Sequence, residues 1–347
     1  MSDRQPATRN GGGPRGFAIF MFIAVSVLLA AYTAFWFYMR GELEKGIDEW
    51  IATERLNGAV VEFDEKRLGG FPFRFALHLE NPNYRDARGI GGWSGEELQL
   101  IMQPWNWQHV MARAPGANRA LFNGEETGLT LGPKAVGSVS WTQAGLRRLS
   151  IDLDDAEVTL ASGETYAATG LQLHMRPPVD DVDALQIVFQ WEALTLPQAP
   201  PDAPFLGESL QPSRLLLEIK DVFSVLQRGG GVSDWIAAGG EVNVAQVLLN
   251  WGPLKFGAKA DLSIDSVGLL NGSVDIRLDD GDALTAAMLD SGMDQETFMQ
   301  ASAAVSMLGV ASRDGGFLPL SIREGEVRYL GQTLVEIPSL TAPGAGG

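Results

Sequence analysis

Phe17 to Met39, "FAIFMFIAVSVLLAAYTAFWFYM", is a run of 23 residues with no Asp, Glu, Lys, Arg or His. A helix rises about 1.5 Å per residue, so a run of this length crosses a hydrocarbon core of roughly 30 Å with a little to spare. A secretory signal differs in having a shorter apolar region, about 7–15 residues, followed by a small-x-small cleavage site. The best candidate here, Leu29-Ala30-Ala31, lies inside the apolar run itself. The stretch therefore reads as an uncleaved signal anchor, a single transmembrane helix over 17–39. Tyr32, Trp36 and Tyr38 gather at one end of it, where amphipathic rings favour the membrane–water interface.

The flanks set an expected orientation. Residues 1–16, with Gly11, Gly12, Gly13 and Pro14, read as a disordered tail. Arg4, Arg9 and Arg15 in it outnumber Asp3, which places the tail in the cytoplasm and exports everything after Arg40. Setting those four charges aside leaves 23 basic and 42 acidic residues, a net of −19 against −17 for the whole chain. Nucleic-acid phosphates demand Lys and Arg, so so acidic a domain excludes them as partners. It is equally unsuited to lying flat on anionic headgroups. There is no cysteine, which removes disulfides, thiolate metal sites, iron–sulfur clusters and cysteine nucleophiles together.

After the span, "ELEKGIDEWIATERLNG" places Leu43, Ile47, Trp50 and Ile51 at helical spacing, with Gly58 as a stop. This predicts a juxtamembrane helix over 40–58. From Val60 the rhythm becomes two. In "LGGFPFRFALHLENP", Phe71, Phe73, Phe75, Leu77 and Leu79 alternate with Arg74, His78 and Glu80, which predicts one strand with a greasy inner face. Leu185, Ile187, Phe189 and Trp191 alternate in the same way. So do Ala258, Ala260, Leu262 and Ile264, and then Val274, Ile276 and Leu278. Turn residues fall between such runs: Gly163, Gly170, Asn271-Gly272, Asp280-Gly281 and Glu324-Gly325. Antiparallel meanders, apolar on one face and polar on the other, follow.

Helix interrupts in few places. The clearest is 281–310, with Asp294 as an N-cap. A short turn capped by Ser233 fits "GVSDWIAAGG", while "SRLLLEIKDVFSVLQRGGG" stays open between strand and helix. The expected fold is mainly β with minor α: a transmembrane helix, then a curved antiparallel sheet domain over 59–340 wrapping one or two helices. "PQAPPDAP" (197–204) marks a subdivision point, and 341–347 a flexible tail.

Chemistry-bearing patterns are sparse. His78, His109 and His174 each stand alone, with no ligand at metal spacing, so neither metal nor other cofactor is expected. No phosphate-binding glycine loop or nucleophile elbow occurs. Asp279, Asp280 and Asp282 mimic the start of a calcium loop without its later ligands, and read as an acidic turn that caps a helix. Asp152 and Asp154 share one strand face with nothing to separate their pKa values. Trp105 and Trp107 in "QPWNWQHV" lie two apart on a strand, as ordinary packing residues or as the lining of a ligand groove. No catalytic, cofactor-binding or metal residue is therefore assigned, and the chain is not expected to be an enzyme.

"LGGFPFRF" (68–75) followed by "PWNW" (104–107) resembles the family catalogued as domain of unknown function 2125, envelope proteins of Gram-negative bacteria. "GGEVNVAQVLLNWGPLKFGAKADLSID" (239–265), "GLLNGSVDIRL" and the closing "GFLPLSIREGEVRYLGQTLVEIPSL" carry the same resemblance, over roughly residues 20–340. The ending is also similar to AsmA-type envelope proteins, which implies a curved sheet able to hold acyl chains. Two readings follow. One is a single-pass inner-membrane protein, N-terminus cytoplasmic and β domain periplasmic, that serves envelope maintenance or handles lipid. Its apolar face is either filled by the 281–310 helix or shared with lipid. The other is a structural scaffold with a closed core, binding envelope proteins through its acidic surface.

Overall fold

The computed structural model of the chain describes residues 14–143 and 145–340, so most of the tails read at 1–16 and 341–347 lies outside the described residues. One helix, α1 (Pro14–Leu56), contains the apolar run and continues through the segment read as a separate juxtamembrane helix. Strong helix formers follow Met39, and the Arg40–Glu44 (4.0 Å) and Lys45–Glu42 (3.0 Å) pairs sit at helical spacing. Gly41 and Gly46 weaken this stretch without breaking it. The helix stops where expected. Gly58 takes φ +92°, and the Ala59 N–H reaches back to the Glu54 carbonyl at 3.0 Å.

The rest is one antiparallel sheet of 22 strands among the described residues. Its first half is built from pairs of short strands, each pair running on as one bent strand. These are β1 (Val60–Glu62) with β2 (Glu65–Gly69), β3 (Phe75–Glu80) with β4 (Asn83–Arg85), β5 (Gly91–Gly95) with β6 (Glu97–Gln103), β7 (Asn106–Arg113) with β8 (Gly116–Phe122), and β9 (Glu125–Leu131) with β10 (Val136–Thr142). Three of the breaks hold a proline, Pro82, Pro115 or Pro133, which has no N–H for the ladder and so ends it. The long β11 (Gly145–Thr159) joins both halves, pairing with β10 early and β9 late.

The meander goes on through β12 (Thr165–Arg176), β13 (Leu185–Trp191), β14 (Ala193–Thr195), β15 (Ser209–Leu210) and β16 (Ser213–Ile219). The 197–204 segment loops out between β14 and β15, while the sheet carries across it through β13–β16 and β14–β15 pairing. The ambiguous stretch from Ser213 resolves as β16 followed by a short helix, α2 (Val222–Gln227). Next comes α3 (Val232–Ala237), which starts at Gly231 rather than Ser233: the Gly231 N–H donates to Asp234 Oδ2 at 2.8 Å.

The last part is β17 (Glu241–Trp251), β18 (Leu254–Ile264), β19 (Leu270–Asp279), α4 (Gly281–Asp290), α5 (Gln295–Ala311), β20 (Leu318–Arg323), β21 (Glu326–Tyr329) and β22 (Gln332–Glu336). Asn271-Gly272 is not a turn; it lies inside β19, and the turn falls at Asp265–Leu269. Gly272 is needed there because a Cβ would sit 2.0 Å from the Asp261 carbonyl oxygen. The 281–310 helix is two helices broken at Gly292, φ +74°. Asp294 caps α5 as expected, accepting from the Thr297 N–H at 3.0 Å.

Candidate functional site

The membrane-type helix and the sheet meet at a specific joint. Strands β1, β2 and β4 are fastened to α1 by Arg55 donating to the Val61 carbonyl of β1 (3.0 and 2.6 Å), by the pair of Asp48 with Lys66 of β2, and by Trp50 stacked on Tyr84 of β4 at 6.2 Å. The β2–β3 turn then reaches the apolar run itself. The Tyr32 hydroxyl donates to the Pro72 carbonyl, and Trp36 stacks on Phe75 (5.2 Å between ring centres, 23°) and meets Phe71 edge-on (5.3 Å). Phe37 stacks on Phe71 at 5.8 Å. Trp36 and Phe75 are only 2% and 3% exposed.

This corrects the reading of Phe71–Leu79 as one strand. Residues 71–73 form a turn, closed by the Arg74 N–H on the Gly70 carbonyl at 3.1 Å, with Gly70 at φ +103°. Proline at 72 could not have donated to a ladder. Phe75, Leu77 and Leu79 keep the expected alternation, but Phe73 points away, 70% exposed. The neighbouring β6–β7 hairpin adds Trp105 and Trp107, 60% and 71% exposed, at its tip rather than on a packed strand face. Trp141, also exposed, ends β10 at the same edge.

From this joint an apolar stripe crosses the sheet. Taking register partners strand by strand gives Phe75, Met102, Val110, Val139, Leu149, Met175, Ile187, Leu217, Val244, Ala260, Val274 and Leu320. The row two residues along reads Leu77, Leu100, Ala112, Gly137, Ile151, Leu173, Phe189, Leu215, Val247, Ala258, Ile276 and Leu318. Directly paired residues project to the same side of an antiparallel sheet. A bulge between Val244 and Val247 lets those two, three apart, keep the same side. Twelve strands spaced about 4.8 Å apart make this stripe about 50 Å long.

Its two ends are buried and its middle is only partly so. Phe75 and Leu77 are buried at the α1 end, Ala258 and Leu318 at the other. Met102, Val110, Leu149, Ile151, Leu173, Phe189, Leu215 and Leu217 between them are all partly exposed. Helices α4 and α5 cover only the far end of this face: they cluster Leu284, Met288 and Val305 around Leu278, two residues past Ile276 on β19, with Phe205, Leu254 and Phe298.

The opposite face is polar and carries hollows. One of about 630 Å³ is lined by His109, Ser140, Trp141, Arg147, Arg148, Asp152, His174 and Arg176, among others. Two histidines that stood apart in the sequence thus share a cavity. His174 Nε2 lies 3.7 Å from Asp152 Oδ1. Arg147 and Arg148 were not singled out from the sequence, although an Arg-Arg pair with no acid between Gln143 and Ile151 in so acidic a chain was a usable signal. His78 sits elsewhere, 3.0 Å from Gln99.

The acidic clusters resolve into structural roles. Asp154 Oδ2 accepts from the Lys134 N–H at 3.1 Å. Asp279 pairs with Arg277 at 3.2 Å. Asp280 occupies the α4 cap position, but its carboxylate pairs with Lys255 at 3.3 Å instead of capping. No group of three or more His, Asp or Glu among the described residues is placed to hold a metal. Among the shifted groups, the Thr297 bonds lower Asp294, the Arg328 guanidinium lowers Glu326, and Glu241 raises Lys220.

No curated protein and no solved structure matches this chain. A family described as an uncharacterized protein conserved in bacteria (DUF2125) matches residues 36–335, from the tryptophan at the joint to the last strand. The chain belongs to that bacterial family.

Proposed function

We propose that this is a single-pass inner-membrane protein of the Gram-negative envelope that handles lipid or another hydrophobic ligand along its sheet, without catalysing a reaction. The tail before α1 would stay cytoplasmic and the sheet would stand in the periplasm, with Phe73, Trp105 and Trp107 entering the outer boundary of the bilayer. The observation that carries the reading is the apolar stripe. It begins at the strand docked on the membrane helix and runs about 50 Å across twelve strands, only half covered along the way. A partly exposed apolar strip of that length marks an interaction surface. Acyl chains match it in chemistry and in being long and narrow.

Native mass spectrometry of the full chain, released from detergent, tests this together with extraction of the bound material. Retained lipid that falls when Ile151 and Leu173 are replaced by Ser supports the reading. A lipid-free protein in its native membrane extract contradicts it and returns the chain to the scaffold reading, in which partners bind the acidic exterior.

A further inference from the structure

We infer that the cavity on the polar face at the membrane end of β7, β10, β11 and β12 binds a phosphate-bearing anion, as a phospholipid headgroup presents it. The inference rests on the proposed anchoring only for the source of the phosphate; the anion site itself rests on the residues.

In a chain of net charge −17, this cavity gathers Arg147, Arg148 and Arg176 with His109 and His174, against Asp152 alone. None of the three arginines is ion-paired with a carboxylate among the described residues. Arg148 Nε donates to Ser150 Oγ at 3.1 Å and Arg176 Nε to Gln186 Oε1 at 3.2 Å, contacts that hold each guanidinium while leaving its terminal N–H groups to face a ligand. A planar guanidinium with free parallel N–H groups suits the paired oxygens of a phosphate. The backbone contributes directly. Ser140 pairs with Arg148 and Trp141 with Leu146, so Arg147 is the extra residue of a bulge, and the bulge lets two consecutive arginines line one cavity. His174 adds an enclosed Nδ1 with no hydrogen-bond partner.

The level of the cavity points to a lipid source. Trp36, inside the apolar run, stacks on Phe75. Phe75 shares its hydrogen-bond row with Val110, Leu149 and Met175. His109, Arg148 and Arg176 each sit one residue nearer the turns than that row, at the edge where Trp105, Trp107 and Trp141 are exposed. Arginines flanked by interfacial tryptophans at that level would meet phosphates rather than acyl chains. The whole domain is too acidic to lie on such a surface, but one local basic cavity can hold one headgroup.

The test uses the full chain in non-ionic detergent, titrated with short-chain dihexanoyl phosphatidic acid and, separately, with inorganic phosphate. Saturable binding of the lipid is expected, weakened about tenfold or more in Arg148→Gln/Arg176→Gln. It should stay within about twofold in Arg119→Gln/Arg214→Gln, which removes the same charge outside the cavity. Melting temperatures of both variants confirm that they fold. Equal weakening in the two variants, or no saturable binding by the parent, overturns the site. Inorganic phosphate binding as tightly as the lipid keeps the anion site and overturns the headgroup assignment. Lipid retained in native mass spectra of Arg148→Gln/Arg176→Gln, with headgroup affinity lost, separates this site from the apolar stripe.

Discussion

Replacing Phe75 with Ala removes the side chain on which the helix–sheet joint turns. Phe75 is 3% exposed and stacked on Trp36, itself 2% exposed, at 5.2 Å. Burying a phenyl ring contributes about 1.5–3 kcal/mol, and an aromatic pair adds about 0.5–1.5 kcal/mol. Truncation also leaves a cavity between two elements that cannot both close over it. The loss should therefore fall at about 3–5 kcal/mol. For a domain of this size that is a fall of about 6–15 °C in melting temperature. Phe73→Ala, two residues earlier and 70% exposed, should shift stability by about 0.5 kcal/mol or less. The assay is the thermal unfolding of the full chain in lipid nanodiscs, followed by tryptophan fluorescence at one scan rate. Equal shifts in the two variants, or a shift under about 2 °C for Phe75→Ala, would refute the joint as described.

Further expectations follow from the same geometry. A reporter that fluoresces only in the cytoplasm, fused after Gly347, should stay dark; bright signal there reverses the proposed topology. Chelator should leave the melting temperature unchanged, and a fall of more than about 4 °C would reveal a bound ion. Acid should destabilise the domain. The Thr297 bonds and the Arg328 guanidinium hold the folded pKa values of Asp294 and Glu326 below their unfolded ones. Their contribution is complete above the unfolded carboxylate range and is lost as pH falls through the folded values. Stability should thus hold from neutrality to about pH 5 and fall below about pH 4; a rise in melting temperature there contradicts this.

Strand alternation was legible because a period of two survives any global arrangement. Leu185, Ile187, Phe189 and Trp191 pair as that period requires, and so do Val274 and Ile276. The turn at Phe71–Phe73 was hidden because phenylalanines two apart look the same in a strand and in a loop. Pro72, which lacks a ladder N–H, and Gly70 argued against a strand. Helix on both sides of Met39 was legible from its spacing, but that the two are one helix was not, because the onset of charge marks where a membrane ends, not where a helix ends. The cavity arginines were the least visible. Arg147 and Arg148 come together with Arg176 only through the register of β11 on β12 and a one-residue bulge, and no local pattern encodes a register.

The central claim, that the apolar stripe holds acyl chains, is tested most directly by photo-cross-linking from neighbouring positions on one strand. Leu173 lies in the stripe, paired with Ile151 and Phe189, while Gln172 next to it faces the polar side and donates nothing to the stripe; its Oε1 accepts from Gln190 at 2.8 Å. A photoreactive phenylalanine analogue at 173, irradiated in intact cells, should capture lipid that mass spectrometry identifies, and the same analogue at 172 should not. Lipid captured equally at both positions, or at neither, would contradict the account.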